Sequence, residues 1–438
     1  MPPIANLNND KPQVRGGRTG AAFREFFQTE VAGGVILLTC AIIALIWANS
    51  PWGGSYEDLW STSLSLGLGD IQVGRSLQGW IKDLLMAIFF FVVGLEIKRE
   101  VLTGELASAR RATLPVAAAL GGAVVPAIIF IAFNAGTDGA RGWGIPMATD
   151  IAFALGVLSL IGGAGAALLR VFLTAVAIVD DLLAVLVIAM FYSVGLAWSH
   201  LVVAALILAV LIGANRFGVQ WTGLYLLLGI VLWAVFLESG VHPTLAGVLL
   251  ALTIPTNRGN HDEKDVADTP PAAAVHGHHT YSMLERLEHT LHPWVAFGIM
   301  PLFALANAGV EIGGGALSAL DDRIALGILL GLILGKQLGI TLAAWLVVRL
   351  GLAEFPVGLR LRHVYAVSWL TGIGFTMSIF IANLAFPESE QLTEAKVGIT
   401  VASILAGIGG FLLLRLLSPR VDEGNVHDGE PDVHSHHP

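Results

Sequence analysis

The chain has 438 residues, 55% hydrophobic and 13% charged, with a mean hydropathy of +0.74, which excludes a water-soluble domain and makes lipid the solvent for most of it. The formal charge of −9 does not mark a basic partner, because acids gather in two polar segments, Asp262 to Asp268 and Asp422 to Asp432, and nothing basic and aromatic suggests nucleic acid. The single cysteine, Cys40, lies inside an apolar run, so a disulfide framework is excluded.

In chain order, a polar segment, residues 1–29, carries Arg15, Arg18 and Arg24 ahead of the apolar stretch Val31 to Ala48. At 18 residues that stretch exceeds the apolar part of a secretory signal, and later runs return to the membrane repeatedly, so it is read as a first span. Residues 50–79 come next; Trp52 to Gly79 is too polar for lipid, and Leu64, Leu66 and Leu68 alternate with small residues before a Gly69-Asp70 turn and Ile71-Gln72-Val73, which predicts a β-hairpin outside the membrane. With the first span at 30–49, further spans are predicted at 80–102, 113–134, 143–161, 169–192, 199–215, 220–238, 240–255, 288–308, 324–348, 362–386 and 396–417, since crossing needs about 20 apolar residues. Gly240 and Pro243 separate the seventh from the eighth. The expectation is an all-α membrane protein of about twelve transmembrane helices forming one transporter domain over 30–417, with a polar loop at 256–284 and a disordered tail at 418–438. The histidines of that loop and tail (His276, His278, His279, His434, His436 and His437) are a compositional metal-binding signal without fixed geometry.

Sorting Lys and Arg onto alternate sides of twelve spans puts 18 on the side of the N-terminus and 4 on the other, with Lys82 and Lys336 inside spans. Because cytoplasmic loops retain positive charge, both termini are expected in the cytoplasm and the hairpin outside.

An ionisable group at mid-bilayer costs several kcal/mol, so a chain keeps one for a partner or a task. Four stand out: Asp150, Asp180, Asp181 and Lys336. Asp180 and Asp181 lie in the middle of the fifth span, where consecutive helical residues diverge by about 100°, so each carboxylate needs its own partner. A structural ion pair with Lys336 accounts for one aspartate and leaves the other for an ion path. The fourth span places Thr149 and Asp150 within Gly144-Ile-Pro-Met-Ala-Thr-Asp-Ile-Ala-Phe-Ala-Leu-Gly156, and the eleventh carries Ser368-Trp-Leu-Thr-Gly-Ile-Gly-Phe-Thr-Met-Ser378. Neither is a clean run of helix formers. If both break, half-helix ends meet inside the membrane, with Asp150 suited to their N-termini and Lys336 to their C-termini. Spans three to five and ten to twelve then form two trios with an interrupted middle member, offset by seven spans and so of opposite orientation.

The chain resembles the NhaA family of sodium/proton antiporters, itself a type example of inverted-repeat transporters. The resemblance runs from about Glu30 to Leu417. It rests on Phe90-Phe-Val-Val-Gly-Leu-Glu-Ile-Lys-Arg-Glu100, Ala148-Thr-Asp-Ile-Ala-Phe-Ala-Leu-Gly156, Val179-Asp-Asp181, Ser239-Gly-Val-His-Pro-Thr-Leu-Ala-Gly247, Arg286-Leu-Glu-His-Thr-Leu-His-Pro-Trp294, Pro301-Leu-Phe-Ala-Leu-Ala-Asn-Ala-Gly309, Gly335-Lys336 and Thr371-Gly-Ile-Gly-Phe-Thr-Met-Ser-Ile-Phe380. It implies that Asp180 and Asp181 bind the transported sodium and protons with Thr149 nearby, and that Asp150 and Lys336 compensate the crossed helix ends, Lys336 also pairing with Asp180. It implies exchange of cytoplasmic sodium, and of lithium, for external protons across the bacterial inner membrane, with no cofactor. It further implies homodimers joined through the external hairpin, and a pH-responsive cytoplasmic cluster, here Glu96, Arg99, Glu100, Glu288, His289 and His292; topology alone also places charges at those helix ends. Glu238, Glu285 and Gln337 depart from the family's pattern, the first two standing where basic residues are expected and Gln337 where proline is familiar; these departures bear on the pH profile and leave the transport residues intact.

No phosphate-binding motif is present, so the driving force must be the proton gradient and membrane potential. Exchange of two protons for one sodium moves one net charge, worth about 2.3 kcal/mol per 100 mV. A channel would need a repeated filter sequence, which is missing. An intramembrane aspartyl protease is suggested only by Gly67-Leu-Gly-Asp70, which lies in the polar segment outside the spans.

Overall fold

In the computed structural model the described residues are 18–68, 71–161, 164–193, 195–256, 282–310, 321–356, 358–387 and 389–417. The hairpin tip at Gly69 and Asp70, most of the 256–284 loop with its histidines, and the C-terminal tail lie outside the described residues.

Every apolar run named above forms helix. Helix α1 (Arg18–Ala48) begins a dozen residues before the predicted span. Helix α2 (Gly53–Ser61) turns away from it by 114°. That helix was not expected; Tyr56 and Trp60, four residues apart on one face, bury themselves against the body and hold it. The hairpin forms as predicted: β1 (Ser63–Leu68) pairs antiparallel with β2 (Ile71–Ser76), Ser63 opposite Ser76 and Leu68 opposite Ile71.

The chain continues through α3 (Leu77–Trp80), α4 (Met86–Thr103), α5 (Ala109–Asn134), a 3₁₀ stretch (Asp138–Met147), α6 (Ile151–Ser159), α7 (Ala164–Phe191), α8 (Trp198–Arg216), α9 (Thr222–Leu237) and α10 (Thr244–Thr253). Beyond the loop come α11 (Met283–Trp294), α12 (Met300–Asn307), α13 (Arg323–Leu330), α14 (Lys336–Arg349), α15 (Leu361–Thr371), α16 (Phe375–Ala385) and α17 (Glu390–Leu417). Among the described residues five helical stretches are long and apolar enough to cross a membrane: Ala109–Asn134, Ala166–Phe191, Trp198–Arg216, Arg323–Arg349 and Glu390–Leu417. Counting each bent pair as one span raises the number to eight, and Thr222–Leu237 and Thr244–Thr253 are shorter apolar helices.

Three features position the site. First, two runs are interrupted: the chain bends 40° between Met147 and Ile151 and 52° between Thr371 and Phe375. The first half of the former is 3₁₀ rather than α, as Gly139, Gly142 and Gly144 weaken the α-helix and Pro146 removes a donor. Second, a π turn (Gly331–Gly335) immediately precedes Lys336, inserting an extra residue that re-aims the side chains of α14. Third, α5 and α14 cross with almost no separation: a Cβ on Gly121 would lie 2.2 Å from the carbonyl oxygen of Gly339, so only glycine fits. The core between these elements is aromatic, with Phe380 of α16 packed 5.6 Å from Phe90 of α4 and 6.2 Å from Phe303 of α12, centroid to centroid.

Candidate ion-binding site

Where the interrupted runs cross, backbone groups left without helical partners are satisfied by each other and by four side chains. The Asp150 N–H donates to the carbonyl of Ile373 at 2.7 Å. The Ser378 hydroxyl donates to the carbonyl of Ile145 at 2.8 Å, and the Phe375 N–H to Ser403 Oγ at 3.1 Å. Asp150 caps two helices at once. Its Oδ1 accepts from the N–H of Phe153 at 3.1 Å, in the first turn of α6. Its Oδ2 accepts from the N–H of Thr376 at 3.1 Å, in the first turn of α16, and from the Thr376 hydroxyl. A fully buried carboxylate is thus held against the positive ends of two half-helices.

The opposite ends meet at Thr149 and Lys336. The Thr149 hydroxyl lies 3.0 Å from the carbonyl of Thr371, the last residue of α15, and 2.7 Å from Asp180 Oδ2, and donates to one of them. It accepts from Lys336 Nζ at 3.0 Å. Lys336 also forms an ion pair with Asp180 Oδ2. Three elements therefore meet at one buried ammonium, α7, α14 and the extended residues before α6, and Thr149 links them to the end of α15. Such a charge is tolerated inside a membrane protein only when surrounded by acceptors.

Asp180 uses one oxygen; Oδ1 is buried without a hydrogen-bond partner. Asp181, the next residue on α7, is 4% exposed and has no hydrogen bond or ion pair among the described residues. It lies within the electrostatic reach of Asp180, Glu96, Asp150 and Lys336. The two adjacent aspartates thus differ sharply in pairing, as helical divergence requires. Three oxygens, both of Asp181 and Oδ1 of Asp180, remain to receive a hard cation or protons.

The residues singled out at the opposite end of the molecule from the hairpin form a second cluster. Arg99 pairs with Glu288, whose other oxygen is buried without a partner. His289 and His292 of α11 share the electrostatic field of Arg99 and Glu288. Glu100 shares that field as well, and accepts from the Glu105 N–H at 2.6 Å, closing the end of α4. Glu96 also lies within electrostatic reach of Asp181.

Asp83 escaped the sequence reading. It sits in the π turn (Ile81–Leu85) before α4, 5% exposed, 3.2 Å from Arg75 and 3.8 Å from His242 Nε2. The signal that could have found it is the adjacent pair Lys82-Asp83 inside an apolar run, where a carboxylate is as costly as the lysine.

Apolar helices enclosing two interrupted ones, with ionisable groups buried where these cross, define a secondary membrane transporter. A family model described as Na+/H+ antiporter 1 matches residues 24–414, and the chain belongs to this family, whose members are transporters rather than enzymes. It is 51% identical over 423 residues to the Na(+)/H(+) antiporter NhaA of Oleidesulfovibrio alaskensis, covering 91% of this chain and 94% of that one. The NhaA of Rhodospirillum rubrum is 50% identical over 401 residues, 90% of this chain and 97% of its own. The NhaA of Escherichia coli is 48% identical over 401 residues, 90% and 98% respectively.

Proposed function

We propose that the chain exports cytoplasmic sodium, and lithium, in exchange for external protons across the bacterial inner membrane, without a cofactor. The proposed transport domain spans 30–417 with twelve crossings, both termini cytoplasmic and spans three to five inverted relative to spans ten to twelve. The observation that carries this reading is the unequal pairing of the two aspartates: Asp180 is held by Lys336 and Thr149, while Asp181 has no partner among the described residues. A sodium ion held between Asp181 and Oδ1 of Asp180 competes with the Lys336 ammonium for the charge of the Asp180 carboxylate. Protonation of the same carboxylates expels the cation, so the site serves one substrate at a time. Asp150 compensates the half-helix N-termini throughout, whereas Lys336 compensates the C-termini while it holds its proton and releases that proton when its pair is broken. Two protons then cross for each sodium, and exchange is electrogenic.

The Arg99, Glu288, His289 and His292 cluster, with Glu96 and Glu100, is assigned the pH response. Pairing of two copies through the hairpin region, Trp52 to Gly79, is the proposed dimer contact, favoured by the unpaired outer edges of a two-stranded sheet.

The test is proton movement in proteoliposomes on addition of sodium. Wild-type protein should collapse an imposed proton gradient with saturable, pH-dependent kinetics. Asp181→Asn, which removes an anionic ligand at almost constant volume, should abolish the response without loss of inserted protein. Wild-type flux in that variant would reject the site.

A further inference from the structure

At the hairpin end of the molecule a cavity of about 370 Å³ opens between α2, the start of α3, the end of α12 and the first turns of α17. Its walls include Glu57, Trp60, Ser61, Gln78, Thr393 and Lys396. Lys396 lies two turns into an apolar helix that carries one further cation, Arg415, near its far end. Its ammonium has no hydrogen bond or ion pair among the described residues. Glu57 lines the same cavity from α2 and is exposed, yet it too forms no ion pair among them, so a cation and an anion face one space without meeting. The Trp60 indole N–H is buried in the wall without a partner. Gln78 spends its amide hydrogens on the Ala306 carbonyl at 3.3 Å and Asn307 Oδ1 at 3.2 Å, which leaves its carbonyl oxygen as an acceptor.

The depth of this cavity is marked by its aromatic surroundings. Trp47 stacks edge-on against Tyr56 at 5.5 Å and Tyr56 against Trp60 at 6.1 Å, while Trp52 and Leu59 project outward from α2. Helix α2 is short, lies across the end of α1 at 114° and buries one aromatic face, as a helix resting in a membrane interface does. Tryptophan and tyrosine collect at headgroup level, and a lysine near the start of an apolar helix with no partner among the described residues seeks phosphate there.

We propose that this cavity binds the headgroup of a phosphoethanolamine phospholipid from the membrane surface on the hairpin side, the phosphate accepting from Lys396 and the ammonium donating to Glu57. The zwitterion matches two opposite charges that the fold holds apart. A purely anionic headgroup satisfies Lys396 but meets Glu57 with the wrong sign, and an inorganic anion leaves Glu57 unmatched. The aromatic level selects a lipid over a soluble phosphoethanolamine, since only the lipid delivers its headgroup there together with acyl chains for the apolar surface.

The experiment is native mass spectrometry of the full-length protein, stripped of lipid in detergent and titrated separately with phosphatidylethanolamine, phosphatidylglycerol and soluble glycerophosphoethanolamine. Its readout is independent of sodium/proton exchange, so it stands or falls apart from the transport reading. One phosphatidylethanolamine should bind ahead of all others. Lys396→Gln should weaken that first event roughly tenfold, as expected for losing a charge-assisted contact, whereas Lys396→Arg should keep it. Glu57→Gln, at an exposed position that does not endanger folding, should erase the preference for phosphatidylethanolamine over phosphatidylglycerol. Equal binding of the two lipids by the wild type would overturn the proposal, as would an unchanged titration in both Lys396→Gln and Glu57→Gln. Glycerophosphoethanolamine binding as tightly as the lipid would overturn the assignment to a membrane ligand.

Discussion

Lys336 and Asp180, 156 residues apart, form an ion pair whose side chains are 0% and 1% exposed, with the Thr149 hydroxyl in contact with both the ammonium and the carboxylate oxygen it pairs with. Taking one partner from such a pair leaves a buried charge uncompensated, at a cost of about 3–5 kcal/mol.

Lys336→Ala should therefore lower the melting temperature of the purified protein in detergent. If the lysine carries one of the exchanged protons, residual exchange in that variant becomes electroneutral, and a potential-sensitive dye no longer responds to sodium. A dye response that persists would reduce Lys336 to a counter-charge. Unchanged stability together with unchanged electrogenic exchange would refute both roles.

Asp150 caps two helices, so its loss should exceed the loss of either contact alone. Thr376→Val removes one hydroxyl donor to Asp150 and keeps the Thr376 N–H, which predicts a destabilisation of about 1–2 kcal/mol. Asp150→Ala frees the first-turn donors of both α6 and α16 and should destabilise more strongly. Equal melting temperatures for the two variants would argue against the double cap.

The approach of α5 to α14 is decided by glycine on both sides. Gly121→Val should prevent assembly, because even its Cβ would overlap the Gly339 carbonyl, and rigid helix backbones cannot yield. Gly407→Ala, where the added carbon meets only Ile373 Cδ1 at 3.7 Å, should leave folding unchanged. Monodispersity on gel filtration distinguishes the two, and a well-folded Gly121→Val protein would contradict the packing described.

Orientation can be read by labelling from one side. After replacement of Cys40, a cysteine at Asn260 should react with an impermeant reagent only from the cytoplasmic face, and one at Ser65 of β1 only from outside. The reverse pattern would overturn the charge count behind the proposed topology.

Composition alone decides that lipid is the solvent, and this has two consequences. Apolar runs become helices, because that satisfies their backbone groups within the segment, and the predicted runs are helical apart from short breaks such as 148–150 and 373–374. Charges in such runs must be exceptional, which is why Asp150, Asp180, Asp181 and Lys336 stand out. The strand alternation of Leu64, Leu66 and Leu68 makes the hairpin legible in the same way. Helix α2 is not legible, because its only signal is two aromatics four residues apart in a polar stretch, and their value depends on a surface that the rest of the fold supplies.

Only the tertiary structure decides which partner each charge has. Nothing local to Asp180 and Asp181 says that one meets Lys336 while the other meets no partner among the described residues; that depends on the direction each projects from α7 and on the π turn that aims Lys336. The double cap by Asp150 likewise exists only because the chain bends between Thr371 and Phe375, where Thr376 can reach it. Asp83 is overlooked for the same reason, since its partners Arg75 and His242 are brought to it from a strand and from the start of another helix. Solvent preference is a sum over residues and can be read along the chain, whereas pairing is set by distances between segments remote in it. The sequence therefore determined where the helices lie and which charges needed explaining, and the fold determined which of those charges is held by a partner.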